Sequence, residues 1–307
     1  MNGFAERLQS RSVFKFIVGI NNWDQDEVRF LTHVYGVGGA DIIDVAARPD
    51  VVAATRQALA EARTPEGERG PAPHIMASLA LKHDPHLDKE EPHPEHRPFI
   101  VPTGTGEMAR NVAACLAEGA EMVELHASNS DDHALVEAVG ALSAVLGGRY
   151  LSVCLGTEGL RAPRDAIRQA GLVLAIHGPR TMIQAEGIVL AKDGSPGSSL
   201  QSLALAQALL ARTTAFVIAA GGANEWTREL TLLLGIPVHG IASGSYARSL
   251  VQGFLAGGDR AAAAGVARRF ACRAKGGPHE DGYQGADGLA ELGLRPARLG
   301  PREAEPE

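Results

Sequence analysis

The sequence predicts an α/β fold, a (βα)8 TIM barrel, and three observations carry that expectation. Eight β-rich runs alternate with helical stretches. Glycines stand where helices hand over to the next strand. Six of the runs hide polar side chains on a single parity. Eight βα units suit a closed barrel better than the alternative, an open doubly wound sheet.

The expected strands are Phe14–Ile20, Asp41–Ala46, His74–Lys82, Met122–His126, Tyr150–Gly156, Thr181–Glu186, Phe216–Ala220 and Val238–Ala242. Helical patterns follow at Asp26–Tyr35, Pro49–Ala62, Gly106–Glu118, Asp132–Leu146, Ser198–Ala211, Glu225–Leu234 and Tyr246–Ala256. The fifth crossover, Ala162–Ala170, reads as short. Gly39–Ala40, Gly119–Ala120 and Gly147–Gly148 end helices where a left-handed residue is needed. Residues 1–274 form the barrel, and 275–307, rich in Gly, Pro and charge, read as a loosely packed tail. Thr64–Pro73 is a smaller loop, and Lys82–Gly106 is a long third βα loop on the face where loops carry function.

At 45% hydrophobic, 21% charged and a net charge of −7, the composition is that of a globular domain without an electrostatic footprint for nucleic acid or anionic membrane. No apolar run approaches the roughly 20 residues needed to span a bilayer. Met1–Arg11 lacks the apolar stretch of a signal peptide, so the expected compartment is the cytoplasm. Cys115, Cys154 and Cys272 are scattered, which excludes an all-cysteine cluster in one chain and gives no disulfide framework.

In a barrel the outward parity meets the helices and is apolar. Phe14, Phe16 and Val18 take that face of the first strand, leaving Lys15 inside. The same test sends inward Asp44 on the second strand, His74, Ser78 and Lys82 on the third, and Glu124 and His126 on the fourth. Ser152 and Cys154 follow on the fifth, and Gln184 and Glu186 on the sixth. A structural lumen would be filled by Val, Ile and Leu instead. Charges taken out of water cost several kcal/mol each unless paired, so these groups pair or sit at the mouth. Two readings follow: an ion network that fixes the lumen, or a site built from Lys15, Asp44, Lys82, Glu124, His126, Gln184 and Glu186. An interior lysine serves as nucleophile or base when desolvation dominates, whereas adjacent carboxylates keep it charged.

Two turns complete the candidate site. Gly221-Gly222-Ala223-Asn224 follows the seventh strand and Gly244-Ser245-Tyr246-Ala247-Arg248 the eighth. Barrels commonly bind phosphate with these two loops, through glycine backbone N–H groups and a helix N-terminus. Gly221, Gly222, Asn224, Gly244, Ser245 and Arg248 are therefore the candidate anion-binding residues. His83, His86, His93 and His96 match no standard zinc spacing, and neither metal nor cofactor is expected.

Several ordered motifs resemble the barrel part of the cyanobacterial light-dependent period (LdpA) family. They are Phe14-Lys15-Phe16-Ile17-Val18-Gly19, the Gly39–Ala46 run, Asp84-Pro85-His86, Val123-Glu124-Leu125-His126, Gln184-Ala185-Glu186-Gly187 and the two glycine turns. Asn21–Asn22 is similar to a related plastid and cyanobacterial barrel family of unknown function. The resemblance runs from about Val13 to Leu255 and implies the barrel fold. It also implies an iron–sulfur protein that feeds redox state to the circadian clock, with cluster cysteines in an insertion after the third strand. His83–Pro102 contains no cysteine. The cluster is therefore not carried over, and the clock role loses its support.

The first functional expectation is a protein binding a small anionic, phosphorylated metabolite at the carboxyl mouth, as an acid/base or lysine-assisted lyase or isomerase. Its alternative is a non-catalytic LdpA-like regulatory or assembly protein acting through a protein partner or a homo-oligomer. A third reading is redox chemistry at Cys154, which has no resolving cysteine near it in sequence.

Overall fold

The structure is a computed structural model that describes residues 2–62, 71–82, 84, 87, 94–128, 130–156, 163–186 and 196–277. His83, His86 and His93, most of the Thr64–Pro73 loop, and residues 278–307 lie outside the described residues.

The strands β1 (Val13–Gly19), β2 (Ile42–Ala46), β3 (His74–Ala80), β4 (Met122–His126), β5 (Leu151–Gly156), β6 (Thr181–Glu186), β7 (Phe216–Ala220) and β8 (Gly240–Ser243) pair in sequence order. All pairings are parallel, and β8 returns to β1 to close the barrel. The helices are α1 (Asn2–Gln9), α2 (Gln25–Gly38), α3 (Pro49–Ala62), α4 (Arg97–Ile100), α5 (Thr105–Ala117), α6 (Asp132–Leu146), α7 (Pro163–His177), α8 (Pro196–Leu210), α9 (Thr227–Leu233), α10 (Ser245–Leu255) and α11 (Arg260–Ala274).

The expected helix ends are where the glycines stand. Gly39, Gly119 and Gly147 have φ of 92°, 112° and 55°, conformations that side chains disfavour. At the other end of α2, the Asp24 carboxylate accepts the Asp26 and Glu27 N–H groups, satisfying donors that the helix cannot.

Three elements differ from expectation. The fifth crossover is a full 15-residue helix, α7. Gly171 reads as a stop in sequence, yet the buried Ala166, Gln169, Ala170 and Val173 form one continuous helical face across it. The second is α11, capped by Asp259; its alanine-rich face lies on α2, where a Cβ on Gly38 would come 2.8 Å from the Ala267 Cβ. The third is α1, which closes the amino end of the barrel. Its Phe4 and Leu8 are buried among Val13, Ile42, Met76, Met122 and Met182. Phe4 also meets the His74 and Tyr150 rings edge-on at 4.8 and 5.2 Å.

Asp41 fastens α1 and the residue after α11 to this closed end. Its carboxylate takes the Phe14 N–H at 2.8 Å, Arg7 at 3.2 Å and Lys275 at 2.8 Å. Lys275, the first residue of the stretch expected to be a loose tail, takes part in this anchor.

An outer apolar layer separates strands from helices and contains the outward Phe14, Phe16 and Val18 with Ile43, Val45, Leu79, Val123 and Leu125. Lys82 corrects the parity reading: β3 ends at Ala80, where the Leu81 N–H still bonds the His126 carbonyl, and Lys82 is exposed in the turn beyond.

Gly240 has no room for a side chain, since an added Cβ would lie 2.6 Å from the Val13 carbonyl oxygen and 2.8 Å from Ile218 Cδ1. Gly240→Ala should therefore destabilise the barrel by about 1–3 kcal/mol, the usual range for overpacking. A fall in the urea midpoint with unchanged slope is the expected result.

Candidate active site at the carboxyl mouth

The lumen is layered. Its lowest layer is apolar, sealed by α1. Above it, parity delivers Lys15 from β1, Asp44 from β2, Glu124 from β4 and Gln184 from β6 to one point. The Lys15 ammonium lies 2.8 Å from Asp44 Oδ2 and 2.6 Å from Glu124 Oε2, and donates to Gln184 Oε1 at 2.8 Å. Lys15, Glu124 and Gln184 are fully buried. The Ser78 hydroxyl donates to Asp44 Oδ1, and the Ser152 hydroxyl to Glu124 Oε2 at 2.6 Å. Glu124 and Ser152 are register partners on adjacent strands, which is why that short hydroxyl reaches, whereas Ser78 bonds Asp44 from two residues beyond its register partner Met76.

Two residues further up each strand, on the same parity, stand His126, Cys154 and Glu186. His126 Nε2 is 3.3 Å from Glu124 Oε1, and the Gln184 amide donates to Glu186 Oε1 at 3.1 Å. His126 and Glu186 are themselves buried, at 4% and 3% exposure, and form the mouthward end of the polar chain.

Burial sets the electrostatics and the pairs redirect it. For Lys15, burial alone would favour the neutral amine, but Asp44 and Glu124 outweigh it and raise the pKa. Burial raises Asp44, with Glu124 adding repulsion and Lys15 opposing. Glu124 is held well below the carboxylate range: burial opposes this, but Lys15 and His126 prevail. His126 is raised to about 9; burial works against its charge, and the hydrogen bond and charge of Glu124, with Asp84 and Glu186, overcome it. Cys154 is pushed up by burial and by Glu186 and Glu124, which leaves the thiol protonated and unreactive.

Asp84 is a member that the sequence reading missed. It is fully buried and accepts the Ser128 N–H at 3.0 Å. It lies inside the long third βα loop, among the histidines, where one aspartate carries no periodic signal. The Asp84-Pro85-His86 motif was the only pointer. Among the described residues of this loop, Leu87, Ile100 and Val101 pack with Ile20 and Ala80 at the mouth, and Trp23 joins them.

The two glycine turns flank the opposite side. Gly221 and Gly222 are both left-handed, at φ 73° and 69°. The Ser243 hydroxyl ties the turns together by donating to the Ala223 carbonyl at 2.7 Å, and Ser202 donates to the Gly221 carbonyl at 3.2 Å. Asn224 has a local task, its Oδ1 accepting the Trp226 N–H at 3.0 Å. Gly244 precedes α10, and Ser245 is exposed at its first position. Arg248 points to the β1 side instead, where an added Gly19 Cβ would lie 3.5 Å from its Nη1.

The domain described as the Light dependent period A C-terminal domain matches residues 114–269, just over half of the chain. The chain belongs to the LdpA family. No curated protein matches it. Solved structures similar to this LdpA-family barrel include tryptophan synthase from M. tuberculosis, 13% identical, with a TM-score of 0.54 over 89% of this chain and 96% of that one. The ribulose-1,5-bisphosphate carboxylase/oxygenase of Pyrococcus horikoshii is 14% identical, with a TM-score of 0.58 over 95% and 66%. A truncated 3-deoxy-D-arabino-heptulosonate 7-phosphate synthase from Thermotoga maritima is 8% identical, with a TM-score of 0.52 over 92% and 88%. At such identities the likeness is one of fold.

The iron–sulfur cluster that the LdpA family implies does not fit these residues. Cys154 faces the lumen, Cys115 lies on the buried face of α5, and Cys272 lies on α11. Among the described residues no group of three or more His, Cys, Asp or Glu side chains is arranged to hold a metal ion. No described helix is long and apolar enough to cross a membrane.

Two measurements test this electrostatic account. Lys15→Met leaves two carboxylates uncompensated in the lumen and should cost about 3–5 kcal/mol of unfolding free energy. His126 binds its proton more tightly folded than unfolded. Its contribution is therefore full below about pH 6.5 and lost as pH rises through about 9. The stability difference between the unmodified protein and His126→Gln, measured by urea unfolding, should shrink across that window.

Proposed function

We propose that this barrel binds a small phosphorylated metabolite at its carboxyl mouth and catalyses proton transfer on it, as a lyase or isomerase. The observation that carries the reading is the unbroken chain of charge pairs, Asp44–Lys15–Glu124–His126, leading from the sealed lumen to the mouth.

In this reading His126 is the general acid. Glu124 fixes its ring through Nε2 and keeps it protonated at neutral pH, ready to donate to an oxygen that gains negative charge. Glu186, oriented by the Gln184 amide, is the complementary base that takes a proton from the substrate. Lys15 is a positioning residue. An ammonium engaged by three oxygens, with a raised pKa, is a poor imine former, so it orients Glu124 and Gln184. Lys82, exposed beyond β3, has no part in the chemistry. The phosphate lies against Gly221–Ala223 and Gly244–Ser245, where backbone donors and the N-terminus of α10 favour an anion. The named synthase of a 7-phosphate compound among similar folds is compatible with this placement and says nothing of the reaction here.

A second reading, a non-catalytic regulatory or assembly protein, is favoured by the saturation of Lys15, which also suits a purely structural lumen. The two readings part on one experiment. A panel of phosphorylated metabolites should raise the melting temperature, since a ligand of the folded state stabilises it by mass action. Ser245→Glu, which adds a negative charge at an exposed helix start without straining the backbone, should abolish the shift. His126→Gln and Glu186→Gln should keep the shift and lower turnover of the stabilising compound about 10²–10⁴-fold. No shift with any phosphate ester removes the metabolite reading; a shift without turnover favours the regulatory one.

A further inference from the structure

Outside the barrel, the first half of α2 and the length of α10, from Ser245 to Leu255, part to leave a cleft of about 260 Å³, just below the usual size range of small-molecule sites. Glu27 and Arg248 both line it, on opposite helices. They form no ion pair with each other, and among the described residues neither side chain has a hydrogen-bond or ion-pair partner. The Arg248 Nε is buried without an acceptor. A half-buried guanidinium without a counter-ion is costly, and the cost is relieved when a ligand supplies the carboxylate. Phe30 and Leu31, both nearly fully buried, and the half-buried Leu255 give the cleft an apolar wall, and Gln252 adds an amide. The cleft is braced by the Tyr35 hydroxyl on α2, which donates to the Ala247 carbonyl on α10 at 2.5 Å.

We propose that this cleft binds a small apolar α-amino acid as its zwitterion. The carboxylate meets Arg248, the ammonium meets Glu27, and the hydrocarbon side chain lies on Phe30, Leu31 and Leu255. A simple anion fits less well, because Glu27 faces the same space and repels it. A simple amine meets the same difficulty from Arg248. Two unpaired charges of opposite sign across an apolar floor select a molecule that carries both. The cleft shares no lumen residue with the mouth, but Ser245 at the start of α10 lines it and also belongs to the turn proposed for the phosphate, so phosphate binding is read as a separate arm of the test.

Calorimetric titration with alanine, valine, leucine, methionine and phenylalanine tests it, with isocaproate and isoamylamine as the leucine analogues that lack one charge each. At least one amino acid should bind, and for leucine each analogue should bind about tenfold or more weakly, as expected when one charge-assisted contact is lost. Arg248→Gln and Glu27→Gln should each weaken binding to a similar degree while the unliganded proteins unfold at normal urea concentrations. Glu186→Gln should leave it unchanged, which separates this site from the mouth. The proposal is overturned if no amino acid binds, if isocaproate matches leucine, or if Arg248→Gln has no effect. Binding of inorganic phosphate that depends on Arg248, without amino-acid binding, would overturn it in favour of a plain anion site.

Discussion

One ammonium group organises the interior of this barrel. The Lys15 side chain enters a lumen from which water is excluded, and it is tolerable there only because Asp44, Glu124 and Gln184 converge on it within 2.8 Å. Those oxygens come from three other strands, so the cluster fixes the rotation of β2, β4 and β6 about their axes together with β1. A slip of one residue in any of them would exchange a lumen charge for an outer-layer aliphatic. The same contact sets what lies above it. Glu124 has two oxygens, and holding one on Lys15 leaves the other aimed at His126. The protonation state of a group at the mouthward end of the lumen is thereby governed by a lysine that solvent never reaches.

The surrounding fold can be understood as what such a core requires. Desolvated pairs gain strength from a low dielectric, so the lumen must be dry below and restricted above. Phe4 and Leu8 close the amino end, and Leu87, Ile100 and Val101 pack at the mouth. Asp41 then keeps the lower closure in place by binding Arg7 beside α1 and Lys275 after α11. The plug is tethered because a helix of eight residues has little stability of its own.

The strands and the lumen set were legible in sequence because both rest on a period of two, which survives in short segments. Lys15, Asp44, Glu124 and Gln184 follow from the parity of their apolar neighbours alone. Lys82 failed because parity says nothing about where a strand stops. Its alternation continues past Ala80, whereas pairing with β4 ends at His126. The helices α1 and α11 were missed for different reasons. Eight residues are too few for α1 to establish a period, alanine blurs the faces of α11, and the burial of both depends on Phe4 meeting Tyr150 or Ala267 meeting Gly38 across the fold. Asp84 was invisible for a similar reason, since its burial is conferred by the packing of residues distant in sequence. The division of labour between Gly222 and Asn224 is local and was hidden for another reason, since a motif does not say which member faces a ligand: Gly222 supplies a left-handed backbone, and Asn224, two residues on, caps its own turn.

An ion network is an uneconomical filling for a barrel if stability is all that matters. Replacing buried charge pairs by well-packed aliphatics is often neutral or stabilising, and the layer immediately below shows that this chain packs Ile and Met in the same lumen without difficulty. The charges begin where the lumen turns toward the mouth, and each one leads upward: Glu124 to His126, Gln184 to Glu186. A network that only fixed strand register would serve equally well in the lowest layer and would have no need to perturb a histidine at the mouthward end of the lumen. Its placement instead makes the imidazole a stronger base, held charged through neutral pH, beside a carboxylate whose orientation is set by an amide. The energy spent on desolvating Lys15 is thus returned as a fixed charge pattern at the mouth, and that pattern is the physical argument for chemistry there.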